Sequence, residues 1–148
     1  MRFAGNYHFI APTEQVFGAL TDPVQLQQAI DVCDRIEPKG NDVYEVHAQI
    51  QALGMRVKPV ILVTIANRQP PRSCQFQVTA TSQYGNLAGN IQIRIQPNAS
   101  GSLLGYDVEG TISGLLSAVA PRLIEVNVQR ALTQFFEKLD RQIAPAAA

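Results

Sequence analysis

Charge is scarce in this sequence. Lys, Arg, Asp and Glu make up 16% of 148 residues, and 12 cations balance 12 anions for a formal net charge of zero. A soluble domain ordinarily carries about a quarter charged residues. Without a basic excess there is no electrostatic drive toward nucleic acid, which depends on cations displacing counterions from phosphates. Tryptophan is absent, and there are two cysteines and two histidines. Cys33 and Cys74 stand far apart with no C-x-x-C pairing. They could form one bridge, but nothing points to secretion, so buried free thiols are expected. His8 and His47 fall on the polar side of strand-like alternations, and two imidazoles with distant thiols do not make a transition-metal site. No metal or cofactor is expected. The longest apolar run is Val60 to Val63, against the roughly 20 residues that span a membrane. The opening residues alternate where a signal peptide would run apolar. The expectation is a cytoplasmic protein whose membrane contact is at most peripheral.

Catalytic signatures are missing too. There is no G-x-G-x-x-G, G-x-x-x-x-G-K-[ST] or H-E-x-x-H. In Gly110-Thr111-Ile112-Ser113-Gly114 the serine is fourth, where a nucleophile elbow needs it third. Asp107 and Glu109 share one strand face and could divide acid and base roles. The apolar face of that strand is Leu104, Tyr106 and Val108, so both carboxylates are expected to look outward. Arg122, at the start of a long helical pattern, either pairs with a carboxylate of the sheet or meets the polar head of a ligand.

What the chain has is apolar surface, 46% of its residues, in two periods. Phe3, Tyr7 and Phe9 alternate in a first strand. Pro12 opens a helix carrying Val16, Phe17 and Leu20, and Asp22 with Pro23 opens a second short one. Period-two alternation then runs through Val43 to Leu53, Arg56 to Asn67, Cys74 to Thr81, Leu87 to Gln96 and Leu104 to Ile112, with Cys33 to Pro38 a weak further segment. Short turns and polar outer faces favour antiparallel hairpins. Gly5, Gly89, Gly105 and Gly110 inside strands predict bulges or strong bending. From Leu116 to Ile143 apolar residues recur every three or four positions, with a break at Pro121. The fold class is therefore α+β: a curved antiparallel sheet of about six to seven strands wrapped on a long C-terminal helix, with two short helices after the first strand. Residues 1–143 form one domain and 144–148 a loose tail.

Several of these residues carry a resemblance. Phe3-Ala4-Gly5, Tyr7, Phe9, Ala11-Pro12, Glu14-Gln15-Val16-Phe17, Leu20 and Asp22-Pro23 stand at one end. Gly110, Gly114-Leu115-Leu116, Arg122-Leu123-Ile124 and Phe135-Phe136-Glu137-Lys138-Leu139 stand at the other. The chain resembles the helix-grip superfamily of START lipid-transfer domains and Bet v 1 allergens (also called polyketide cyclase/dehydrase and lipid transport), and within it the carbon monoxide dehydrogenase G-subunit family. It departs where family members commonly carry Ile-Pro-Gly-Cys, reading Ile30-Asp31-Val32-Cys33. Some members continue past the long helix to a membrane-binding segment; none is expected here. The resemblance implies an apolar cavity between sheet and helix. It also implies an accessory role: binding a lipid or quinone, or assisting a molybdenum hydroxylase at the membrane.

The leading expectation is a non-enzymatic protein that binds a lipophilic small molecule. Its pocket would be lined by Tyr7, Phe9, Val46, Ile61, Phe76, Ile91, Tyr106, Val108, Val119 and Leu123, with Arg122 as the polar anchor. One alternative is a module docking a partner molybdenum hydroxylase through an exposed apolar patch that includes Phe136. A small cyclase or hydratase using Asp107, Glu109 or His47 comes last, because it needs those groups to face inward.

Overall fold

The opening alternation becomes strand β1 (Arg2–Phe9) in the computed structural model, which describes residues 1–30, 33–52, 54–119 and 121–144. Helix α1 (Thr13–Leu20) follows Pro12, whose carbonyl accepts from the Gln15 and Val16 N–H groups. Asp22 caps α2 (Pro23–Ala29): its Oδ1 accepts from the Val24 N–H at 2.9 Å, and Pro23 takes the first helical position, where a missing N–H costs nothing.

Strands β2 (Cys33–Gly40), β3 (Val43–Ala48), β6 (Val60–Gln69), β7 (Ser73–Ser82), β8 (Gly85–Asn98) and β9 (Gly101–Ser113) join β1 in one seven-stranded antiparallel sheet, ordered β1-β9-β8-β7-β6-β3-β2. The weak segment from Cys33 is thus a full edge strand, and Pro38 is tolerated in it because an edge need not supply every ladder donor. One expectation needs correction. The alternation from Val43 to Leu53 and from Arg56 to Asn67 does not give two long strands. A small separate hairpin, β4 (Ile50–Ala52) with β5 (Met55–Val57), interrupts it. Gly54, with φ of +75°, makes the turn, and Pro59 separates β5 from β6.

The expected bulges are also elsewhere. Pairing runs unbroken past Gly5, Gly89, Gly105 and Gly110, and the register shifts fall between Cys33 and Arg35, Pro38 and Gly40, and Ala66 and Gln69. Gly5 instead makes room: a Cβ there would collide with the Tyr106 ring. At Gly101 a φ of +146° and the Phe9 carbonyl would both oppose any side chain.

The last segment is a short helix α3 (Leu115–Val119) and a long α4 (Pro121–Ile143), restarting at Pro121 as the sequence indicates. The sheet wraps α4, whose C-terminal half carries the fully buried Phe136 and Leu139 onto Phe9, Leu104 and Ile93. Polar ties fix the same end. Asp140 Oδ1 accepts from the Ile10 N–H at 3.1 Å, its Oδ2 from the Tyr7 hydroxyl at 3.4 Å, and the Gln142 amide donates to Gln25 Oε1 at 2.7 Å. Burial, then the Asp140 carboxylate, pushes the Tyr7 phenol above its ordinary value. Ala144 still donates to the Asp140 carbonyl, and 145–148 of the expected tail lie outside the described residues.

Two predictions arise from this core. Ser102 is fully buried, and its hydroxyl donates to the Ala11 carbonyl at 2.7 Å. Ser102→Ala leaves that carbonyl short of a partner and is expected to cost about 1–3 kcal/mol in a denaturant titration. Both cysteines are free, Cys33 half-buried and Cys74 buried. Burial pushes the Cys74 thiol up from 9.0 to about 11, with Arg68 opposing it weakly. The folded state therefore keeps this proton to higher pH than the unfolded chain. The contribution is intact below about pH 9 and is lost as pH rises toward about 11. Cys33 and Tyr7 shift in the same direction, so the readout is a difference: the melting temperature of Cys74→Ala should fall less steeply with pH across that window than that of the wild type.

Candidate functional site

Between the concave face of the sheet and the middle of α4 lies a cavity of ≈ 330 Å³. That is near the lower end of the roughly 300–1,000 Å³ typical of small-molecule sites. Strand alternation builds its floor. The inward positions Tyr44 and Val46 of β3, Val63 of β6, Phe76 and Val78 of β7, Ile91 and Ile93 of β8 and Val108 of β9 form adjacent rows. Ile36 of the edge strand and Leu20, Leu26, Ala29 and Ile30 from the helical connection close one side. Helix α4 forms the roof with Val128, Ala131, Leu132, Gln134, Phe135 and Phe136. Among the described residues the lining contains no ionisable group except the Tyr44 phenol.

Of the residues expected to line a pocket, Val46, Phe76, Ile91 and Val108 stand in this wall. Tyr7, Phe9 and Tyr106 share the concave face but lie where α4 closes on the sheet, packed around Phe136 with ring centroids 5.4–6.0 Å from it. Ile61 points to the same face one pair beyond Val63 and is not part of the wall. The side chain of Val119 lies outside the described ones. Arg122 and Leu123 are solvent-exposed on the first turn of α4 and stand apart from the cavity, so the anchor expected of Arg122 is not formed there. Phe136 must be corrected as well: it is 1% exposed, at the centre of the core, and no part of a surface patch. The missed residues include Leu20, Leu26, Ala29, Ile30 and Ile36, which only the packing of the two short helices and the edge strand brings to the wall, and two further groups. Tyr44, Val63, Val78 and Ile93 were available from the alternation itself, whereas those of α4 depend on its rotation about its axis.

The polar candidates lie on the opposite face. Asp107 pairs with Arg94 at 2.7 Å and Glu109 with Arg2 at 3.1 Å, both exposed to solvent as expected. On the outer face of β2 and β3, Glu37, Glu45 and His47 bring potential ligand atoms within 4.8 Å of one another, a cluster made by cross-strand pairing and invisible in the separated sequence positions. Lys39 already neutralises it, 3.1 Å from Glu45 and 3.4 Å from Glu37, and Arg35 stands 3.0 Å from Glu37. The hydrogen bond from Lys39, then the charge of Arg35, holds the Glu37 carboxyl below its usual range, while Glu45 and Glu37 raise the Lys39 ammonium. This is an ion-pair network on an edge. Among the described residues no helix is long and apolar enough to cross a membrane.

Comparison with solved structures places the fold among known ones. A conserved protein from Geobacillus kaustophilus superposes with a TM-score of 0.91 at 23% identity, covering 97% of this chain and 95% of the other. Ara h 8.0201, which has the Bet v 1-like fold, superposes with a TM-score of 0.74 at 13% identity over 97% of both chains. The di-domain ARO/CYC protein StfQ of the steffimycin biosynthetic pathway does so with a TM-score of 0.67 at 10% identity, over 97% of this chain and 50% of its own. These likenesses establish the helix-grip fold. No curated protein matches the sequence. The profile of the carbon monoxide dehydrogenase G-subunit, CoxG, matches residues 5–144, nearly the whole described domain. By that match the chain belongs to the CoxG family, named for the G-subunit of carbon monoxide dehydrogenase.

Proposed function

We propose that this protein binds a lipophilic small molecule, of lipid or quinone type, in the cavity between sheet and α4, and does so without converting it. It acts as a cytoplasmic accessory protein to a molybdenum hydroxylase of the carbon monoxide dehydrogenase kind. The observation that carries this reading is the cavity lining, which is apolar almost throughout and comes from the inward faces of β3, β6, β7, β8 and β9, from Ile36 and the α1–α2 connection, and from one face of α4. Filling it removes apolar ligand surface from water at about 25 cal/mol per Å². The groups considered for cyclase chemistry, Asp107, Glu109 and His47, sit on the far side of the sheet and do not reach it.

A second reading, a docking module for the partner enzyme with no ligand of its own, draws support from apolar side chains left in solvent. Leu115, Leu123 and Val126 are 58%, 48% and 43% exposed around the α3–α4 junction. Native mass spectrometry of freshly purified protein, followed by solvent extraction, separates the two. A co-purifying quinone, fatty acid or isoprenoid supports the binding reading and identifies the ligand class. A bare protein mass, unchanged after incubation with membrane extract, counts against it and favours docking.

A further inference from the structure

Resting on the binding reading, the composition of the wall says more about what can occupy it. Only two side chains in the described lining carry hydrogen-bonding groups: Tyr44 on β3 and Gln134 on α4, which face the cavity from opposite layers. Tyr44 is half-buried and packs against the core, while Gln134 is exposed at the rim. Among the described residues neither side chain has a hydrogen bond to another protein group. Both groups are accessible from the cavity side and can donate to something that enters. Among the described residues no Lys, Arg or His lines the wall, and a carboxylate or phosphate drawn into it would lose its hydration with no counter-charge in return.

We infer that Tyr44 and Gln134 are the polar anchors of the cavity, and that its ligand is a neutral lipophile bearing a hydrogen-bond acceptor such as a carbonyl, not an ionised lipid. A tyrosine O–H and a glutamine N–H both donate. An acceptor held between them is oriented from both layers while its hydrocarbon body lies along Val63, Val78 and Ile91.

The experiment is displacement of the neutral dye Nile red from the full chain by octane, octanoate and methyl hexyl ketone, which have the same number of carbon atoms, at neutral pH. Octane gives the reference for a ligand without polar contacts, and octanoate is expected to bind roughly tenfold or more weakly than the ketone, since its charge must be desolvated. Tyr44→Phe and Gln134→Leu should each reduce the preference for ketone over octane by roughly threefold to tenfold, with Nile red binding retained. Octanoate matching the ketone overturns the inference, as does a ketone preference that survives both substitutions. In either case dye uptake would leave the cavity-binding reading standing. Failure of Nile red and all three competitors to bind overturns that reading and this inference together.

Discussion

Phe136→Ala is expected to remove about 3–5 kcal/mol of unfolding free energy, from a total of roughly 5–15 kcal/mol for a domain. Phe136 is 1% exposed, and its ring has four aromatic neighbours: Tyr7 at 5.8 Å, Phe9 at 6.0 Å, Tyr106 at 5.4 Å and Phe135 at 5.5 Å between centroids. Those neighbours cannot close the gap by moving. Tyr7 and Phe9 are held in β1 opposite Leu104 and Ser102, and Tyr106 in β9 opposite Gly5. The lost transfer energy is therefore accompanied by a lasting cavity. Phe135, half-buried on the roof, provides the comparison, and Phe135→Ala is expected to cost about 1–2 kcal/mol less than its neighbour. Guanidinium titrations at unchanged m-value would measure both. Equal losses would mean that α4 is rotated differently on the sheet.

Ala131→Trp is expected to weaken uptake of a neutral lipophile by roughly tenfold or more, equivalent to about 1.4 kcal/mol or more, while leaving the fold in place. Ala131 lines the cavity from α4 yet remains exposed, so it stands at the opening, where an indole would occupy the ligand's route. The helix itself loses only about 0.5 kcal/mol from the exchange. Gln129→Trp is the control, exposed on the same helix and absent from the wall. Nile red titration of the two variants, with far-ultraviolet circular dichroism to verify folding, gives the comparison. If Ala131→Trp binds the dye as well as Gln129→Trp does, the opening is not at that point.

Alternation selects a face of the sheet, and it selects the right one: Val46, Phe76, Ile91 and Val108 are in the wall, and Asp107 and Glu109 point away from it. It does not say where along that face the helix makes contact. Tyr7, Phe9 and Tyr106 have the same orientation as Ile91 but lie under the end of α4 that is pressed down, so they are core instead of cavity. The helix is harder to read because each residue turns it by about 100°. The three- and four-residue pattern puts Phe135 in the stripe and leaves Phe136 for the surface, whereas packing buries Phe136 and leaves Phe135 half-buried. Leu123 belongs to the apolar stripe on paper and Arg122 to its polar side, yet the first turn of α4 stands clear of the cavity and leaves both exposed. Clusters made by pairing, such as Glu37 with Glu45, require the register, which the shift between Pro38 and Gly40 in that hairpin hides.

The sheet order has a consequence for synthesis on the ribosome. Among the described residues β1 pairs with β9 and with no other strand of the sheet, so Phe3 must wait for Val108 and Tyr7 for Leu104. At about 5–20 residues per second, a gap of roughly 100 residues keeps this aromatic strand without its partner for about 5–20 seconds. The hairpins from β6 to β8 can form in that interval from local contacts, while β1 is placed only once β9 has followed. A nascent chain halted before Leu103 would present the Phe3, Tyr7 and Phe9 face to solvent, and to any chaperone that binds exposed aromatic strands. Release beyond β9 would withdraw it.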